Sequence, residues 1–301
     1  MKEEYSIQIQ AVIYNNSKRA LLKCLESFSN AVMVAGNKGV KIGARFVYGD
    51  ASENAAFTSE ELEDLENRFK ETLSFSYKFF GFNSGFGKGQ NILAENCLAD
   101  YILIINPDII VSPDFFLEIM KPFDDEKVGE VEARQCPIEH NKYYATNTFE
   151  TQWASLACSA VRTELFKKLN GIDSESFFMY CEDVDFSWRI RREGYKVLYC
   201  PSAMAYHAKR YDNLGYVAAS RTEFYQSRLS ALVLAYKWSK DRELKKIYLK
   251  MKLSPDSCSQ KAVREFDRRK SANSLPERIE DSNDIAVIYG EGIYAKNRFQ
   301  Y

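Results

Sequence analysis

Histidine is almost absent from this chain, with two among 301 residues, and its seven cysteines include no CxxC pair. Cys24, Cys97, Cys136, Cys158, Cys181, Cys200 and Cys258 are odd in number and scattered. That pattern argues against a disulfide framework or a thiolate zinc site and points to a reducing cytoplasm. Most of these thiols sit in apolar contexts and read as small core residues. No run approaches the roughly 18 consecutive apolar residues that a membrane span needs. The opening Met1-Lys2-Glu3-Glu4-Tyr5 has two acids and no apolar stretch, so no secretory signal is expected. An excess of one charge is missing too: 41 basic residues face 42 acidic ones, a formal net charge of −1. This argues against nucleic-acid binding by bulk charge. What the chain does have is 14% aromatic residues, which excludes disorder. Its length allows one large domain or two small ones.

The pattern along the chain alternates strands with helices. Ser6 to Tyr14 reads as a strand entering a core, and Asn15-Asn16-Ser17 as the cap of a helix burying Leu21, Leu22, Leu25 and Phe28. Ala44 to Tyr48 is a second strand, ending at Gly49-Asp50. Glu60 to Phe69 is an acidic helix, and Ser74 to Phe80 a third strand. A glycine-rich loop, Gly81 to Gly89, precedes a helix from Gln90 to about Leu98, and Tyr101 to Ile105 is an apolar strand. Such alternation predicts an α/β fold with a mostly parallel sheet flanked by helices. Val128 to Thr151 reads as irregular, with short strands. A helix opens at Glu182-Asp183-Val184-Asp185 and ends at Gly194, a strand over Tyr195–Tyr199 is broken by Pro201, and the segment ends at His207. Beyond Tyr211 the chain reads as mainly helical.

Four features could carry chemistry, each with a plainer alternative. The glycine-rich loop is no P-loop, because Phe82 stands at the first glycine and Gly89 at the Ser/Thr. Its spacing also departs from the dinucleotide-binding fingerprint. It either brings backbone N–H groups and Lys88 to a diphosphate at a helix N-terminus or is a tight strand-to-helix turn. Asn106-Pro107-Asp108 follows the most apolar strand, at the sheet edge where α/β ligands bind, yet all three residues are turn formers. Asp108 could ligate a hard cation. Three carboxylates in four residues, Glu182, Asp183 and Asp185, repel one another, as a base raised in pKa by its neighbours would require, although acids also complement a helix dipole. His207 could join Asp108 on a metal or simply pack.

Taken in order, these stretches resemble the inverting family-2 glycosyltransferases of the GT-A fold, close to the rhamnosyltransferase-like branch. The resemblance rests on Ala11 to Asn16, Asn83 to Asn91, Asn106-Pro107-Asp108, Phe177 to Asp185, and Pro201 to His207, and covers about residues 5 to 235. It implies that Tyr14, Asn15 and the Asp50 region contact the nucleotide base and ribose, and that Asn83, Gly87, Lys88 and Asn106 line the nucleotide. It implies that Asp108 is the retained acid of the family's DxD and that His207 completes the shell of a Mn2+ or Mg2+ ion. Asp183 matches the catalytic base, with Glu182 and Asp185 as supporting acids, Asp185 also on the acceptor side; Trp153 and Tyr180 could stack on an acceptor sugar ring, although buried aromatics are the commoner explanation. Two positions depart from the family pattern: Asp50 is displaced by one residue, and Asn106 replaces the first DxD acid, as is common in that branch. The implied partners are a nucleotide-diphosphate sugar, dTDP-rhamnose or a UDP-hexose, and a growing, lipid-linked glycan. A protein that binds nucleotide sugars without turnover is the alternative in the binding class. A nucleotidyltransferase is disfavoured, because no glycine- and arginine-rich triphosphate loop follows the first strand.

The near-zero charge hides an imbalance. Residues 208–273 hold 16 basic and 7 acidic side chains, a local net charge of +9. Leu229, Leu232, Val233, Tyr236 and Trp238 stand among them, as in an interfacial helix. The expected organisation is a catalytic domain over 1–210 and a basic helical extension over 211–301. That extension either packs on the catalytic domain or holds the protein peripherally at the inner, anionic membrane surface.

Overall fold

The computed structural model describes residues 2–207, 220–281 and 285–299. The expected boundary at 210/211 lies outside these residues. Strands β1 (Glu4–Ile13), β2 (Lys41–Asp50), β3 (Leu73–Phe79), β4 (Tyr101–Ile105), β5 (Ile109–Val111), β6 (Val128–Cys136), β7 (Cys158–Arg162) and β8 (Lys196–His207) form one sheet in the order β3-β2-β1-β4-β7-β6-β8-β5. The first four run parallel, as the helix-strand alternation predicts. β7 reverses direction against β4 and β6, β8 returns parallel to β6, and β5 closes the far edge antiparallel to β8.

Helix α1 (Lys18–Asn37) starts at Ser17, whose hydroxyl accepts from the Ala20 amide, and buries Leu21, Leu25 and Phe28 against the sheet. Its partner on the edge is α2 (Ser59–Phe69), closed at its start by reciprocal Thr58 and Glu61 hydrogen bonds. On the other face, α3 (Phe86–Ala94) covers β1 through a glutamine ladder. Gln8 Nε2 donates to Gln10 Oε1 at 2.9 Å, and Gln10 Nε2 to Gln90 Oε1 at 2.9 Å.

Three expectations are revised. The helix after the glycine-rich loop begins at Phe86 rather than Gln90, so Gly87, Lys88 and Gly89 are helical. The stretch from Val128 is not irregular at first: β6 is a nine-residue strand, mostly buried. Pro201 does not break β8. The strand passes through it at a bulge, where the register moves from Ala133↔Cys200 to Arg134↔Met204. A bulge is the place in a sheet that tolerates a residue lacking an N–H.

Two short helices, α4 (Phe115–Ile119) and α5 (Thr163–Lys168), precede α6 (Glu182–Arg192). After α6, Gly194 takes the left-handed conformation at φ 85° that the sequence suggests. Three further helices, α7 (Arg221–Lys237), α8 (Asp241–Leu253) and α9 (Ser257–Ser271), form the C-terminal part. They share one apolar cluster with α6: Trp188 packs edge-on against Trp238 at 5.4 Å, beside Val184, Leu229, Leu232 and Val233. Leu229, Leu232, Val233 and Trp238 are therefore core, and the interfacial reading of α7 is withdrawn. No described helix is long and apolar enough to cross a membrane.

Candidate active site

The ends of β1, β2 and β4 meet at one edge, with Ile13 beside Asp50 and Ala11 beside Ile105. Tyr14 and Asn15 leave this edge exposed to solvent, and Asn15 turns the chain at φ 54° while its amide donates to Ser52 Oγ at 2.9 Å. Asp50 does not join them. It has no exposed surface, and its carboxylate accepts from the Ser52 and Ala56 amides at 2.9 and 2.8 Å and from the Tyr77 hydroxyl. Its role is to close the loop over 51–56, which corrects the expected contact with nucleotide.

The glycine-rich loop owes its composition to close packing. A Cβ on Gly89 would stand 2.5 Å from Val12 Cγ2, and one on Gly87 would stand 2.8 Å from Ile172 Cγ2. Gly85, at φ 67°, lies under Phe178. These approaches seat the start of α3 between β1 and the turn that leads to Glu182. Asn91 ties the same two parts, donating to the Ile172 carbonyl at 2.7 Å and accepting from its amide at 2.9 Å. Asn83 accepts from the Gly85 amide at 3.0 Å, and Lys88, exposed, lies over the Phe82 ring at 5.5 Å. Gly87 is buried against Ile172.

Beyond β4, Asn106-Pro107-Asp108 turns the chain into β5, whose first residue pairs with His207 at the end of β8. Two segments about a hundred residues apart thereby converge. His207 Nε2 lies 3.5 Å from Asp108 Oδ1 and 3.2 Å from Asn106 Nδ2. On its other side Nδ1 lies 2.9 Å from Gln135 Oε1 on β6. With Nδ1–H donating to Gln135, the Nε2 lone pair faces Asp108, the tautomer that a metal-ligating imidazole needs. Gln135 is a partner the sequence reading missed. Its signal was hidden because β6 was read as irregular.

The turn before α6 is strained. Tyr180 and Cys181 both adopt left-handed backbone, at φ 68° and 66°, which non-glycine residues rarely do. This turn presents Glu182 and Asp183 at the helix start. Glu182 is buried, and its Oε2 has no hydrogen-bond partner among the described residues. Asp183 is partly exposed and accepts from the Val184 amide at 2.8 Å. Desolvation, followed by the neighbouring Asp183 charge, lifts Glu182 far above the usual carboxylate range. Burial likewise lifts Asp183, but less, because the Val184 amide and Lys142 favour its ionised form. Both carboxyls therefore hold a proton more tightly than free ones do.

Asp185 departs from its expected acceptor role. It has no exposed surface, and it meets Arg189 Nε at 2.8 Å, Lys237 Nζ at 2.8 Å and Trp238 Nε1 at 2.9 Å. Tyr180 remains partly exposed, its hydroxyl 3.2 Å from Glu223.

A cleft of about 790 Å³ is lined by Trp153, His140, Lys142, Tyr289, Ile293 and Tyr294 among others. It adjoins the carboxylate turn: Tyr294 Oη lies 3.1 Å from Cys181 Sγ. Trp153 is largely buried in its wall, under Lys142 Nζ at 3.9 Å from the ring centroid. Lys142 is itself buried, ion-paired with Glu132 and donating to the Trp153 carbonyl at 2.7 Å. The outer wall comes from the C-terminal segment, which runs beside residues 141–143: the Tyr143 amide donates to the Lys296 carbonyl at 2.7 Å and the Arg298 amide to the Asn141 carbonyl at 2.9 Å. Nothing in the sequence marked this pairing, since it joins residues about 150 apart.

Known proteins resemble this chain in sequence and in fold. The chain is 26% identical over 168 residues, 43% of its length, to the rhamnosyltransferase WbbL of Escherichia coli K12. It is 42% identical over 57 residues, 19% of its length, to an N-acetylglucosaminyl-diphospho-decaprenol L-rhamnosyltransferase of Mycobacterium tuberculosis. These matches span 62% and 18% of the two relatives, less than two thirds of either. In fold it resembles GalNAc-T7 solved with UDP, GalNAc and Mn2+, at TM-score 0.61 and 13% identity over 89% of this chain and 55% of that one. It also resembles the mannosyltransferase PcManGT of Pyrobaculum calidifontis solved with GDP-Man and Mn2+, at TM-score 0.55 and 14% identity over 91% and 76%. The described family Glycosyl transferase family 2 matches residues 11–186, from β1 through the carboxylate turn, and the chain belongs to that family as a glycosyltransferase of GT-A fold.

Proposed function

We propose that the protein transfers rhamnose from dTDP-rhamnose, or a hexose from a UDP-hexose, to a hydroxyl of a growing, lipid-linked cell-surface glycan, inverting the anomeric carbon. The observation that carries this reading is the Glu182–Asp183 pair, held by two left-handed residues beside a cleft of about 790 Å³. The two rhamnosyltransferase relatives support the sugar, and the diphospho-decaprenol substrate of one supports a lipid-linked acceptor.

In this reading Tyr14, Asn15 and the Asn83–Lys88 loop hold the nucleotide, with Asn106 beside its diphosphate. Asp108 and His207 offer one carboxylate and one imidazole lone pair 3.5 Å apart, a donor set that fits Mn2+ or Mg2+. No cluster of three His, Cys, Asp or Glu side chains occurs among the described residues, so the diphosphate oxygens would complete the shell. Mn2+ accompanies the nucleotides in two solved structures of this fold, which supports a divalent ion here. Such an ion, when bound, neutralises charge developing on the leaving diphosphate.

Asp183 accepts the proton of the acceptor hydroxyl as its oxygen attacks from the face opposite the diphosphate. One displacement inverts the carbon and needs no protein nucleophile. Glu182, keeping its proton, spares Asp183 a second adjacent charge. Trp153 and Tyr180 wall the acceptor side and exclude water. A screen of nucleotide sugars with Mn2+ and glycan acceptors tests this through released nucleoside diphosphate. A protein that only binds the donor releases none.

A further inference from the structure

Helix α8 buries Ile247 and Met251 against the C-terminal core and turns the opposite face to solvent. On that face Leu253 is 83% exposed and Leu249 45% exposed. Scattered exposed leucines are ordinary, but these two are four residues apart and so adjacent on the helix. Lys245, Lys246, Lys250 and Lys252 flank them on both sides, and Arg242 lies in line. Among the described residues, Arg242, Lys245, Lys246 and Lys252 make no ion pair. Only Lys250 does, to Glu291 Oε2 at 3.1 Å. Glu291 belongs to the segment that walls the cleft, next to Gly292 and the 51% exposed Ile293. Thus Lys250, at the edge of this face, contacts the segment that walls the cleft.

We propose that this face of α8 is a membrane-docking surface, which lays Leu249 and Leu253 into the boundary of an anionic bilayer while the surrounding lysines and Arg242 meet its phosphates. Two exposed apolar side chains among cations, of which only Lys250 is ion-paired among the described residues, match a surface that is charged outside and apolar just beneath. A second protein copy would present the same cations and repel them. The docking site differs from the one the sequence suggests, because Leu229, Leu232, Val233 and Trp238 at α7 are buried, whereas Leu249 and Leu253 of α8 are exposed. Its position beside Glu291 brings a lipid-linked acceptor to the cleft laterally. That last point rests on the proposed function, but docking does not.

Co-sedimentation of the full chain with vesicles tests it, with no donor or acceptor present, so its outcome is independent of whether the chain transfers sugar. Vesicles of phosphatidylglycerol and phosphatidylcholine should bind the protein, and pure phosphatidylcholine should bind it at least tenfold more weakly. Leu249→Ser with Leu253→Ser, and separately Lys245→Glu with Lys246→Glu, should each lower anionic binding by about tenfold or more. All four side chains are exposed, and an unchanged melting temperature verifies that each variant is folded. Absence of binding to anionic vesicles, or binding unchanged in either variant, overturns the proposal. So does gel filtration showing a dimer that the leucine variant dissolves while vesicle binding persists, which would assign the face to a second copy.

Discussion

Asp185 Oδ1 lies 2.8 Å from Lys237 Nζ, and this contact joins the helix that follows the strained turn to the helical C-terminal part. Two residues along a helix turn a side chain by about 200°, so Asp183 faces outward while Asp185 faces the core. Arg189 and Trp238 complete the burial of Asp185. Asp185→Ala should leave Arg189 without its carboxylate, while Lys237 keeps Asp173 at 2.7 Å, and lower stability by about 1–3 kcal/mol. Denaturant unfolding measures the loss. The acceptor KM of the folded fraction should stay within about twofold of the parent, where an acceptor ligand would shift it at least tenfold.

The glycines of α3 make a contrast within one protein. Gly89→Ala puts a methyl 2.5 Å from Val12 Cγ2 and should destabilise by about 1–3 kcal/mol. Gly36→Ala, in α1 with nothing within 4 Å, should stabilise by about 0.5–1 kcal/mol. Thermal melts of both variants read the opposite signs directly.

Asp108 and His207 should share one consequence. His207→Ala or Asp108→Ala should raise the Mn2+ concentration needed for half-maximal turnover by at least tenfold. Gln135→Ala, which frees Nδ1 of His207, should raise it about 10–100-fold. Turnover titrated against Mn2+ in each variant checks this. Unchanged titrations would remove the metal from this corner of the sheet.

The carboxylate pair predicts two pH effects of opposite sign. Transfer requires ionised Asp183, so kcat/KM for the acceptor should rise with pH through about 6, where burial places this group. Glu182 has its folded pKa raised to about 8 by desolvation and by Asp183. Its contribution to stability is complete below the ordinary carboxylate range and declines as pH rises toward that value. Melting temperature should therefore fall between about pH 5 and 8, and Glu182→Gln should flatten the fall.

Much of this was legible in the sequence where the determinants are local. The apolar run Tyr101–Ile105 gave its strand at the observed bounds, and Ser17 its cap. The alternating Ile and Gln of β1 also gave a strand, but not the helix that buries the glutamines, because that helix depends on the ladder to Gln90. The glycine-rich loop left a diphosphate cradle and a tight turn equally open, and the close contacts of its glycines are with Val12, Ile172 and Phe178, residues distant in sequence. Asp50 and Asp185 were misread for the same reason. A carboxylate's role follows from its partners, and Tyr77, Lys237 and Trp238 are brought to them only by the fold. Lys142 and Gln135 went unnoticed because they lie in or after a strand whose alternation, Glu130 and Glu132 inward, was taken as irregular.

Asp183 carries the central claim, and one substitution isolates it. Asp183→Asn keeps the size of the side chain and its bond from the Val184 amide but removes the base. Nucleoside diphosphate release and glycan product, measured with donor and acceptor saturating, should fall by about 10²–10⁴-fold, while the donor Kd stays within about threefold. Transfer at the parent rate with the Asp183→Asn protein would contradict the account.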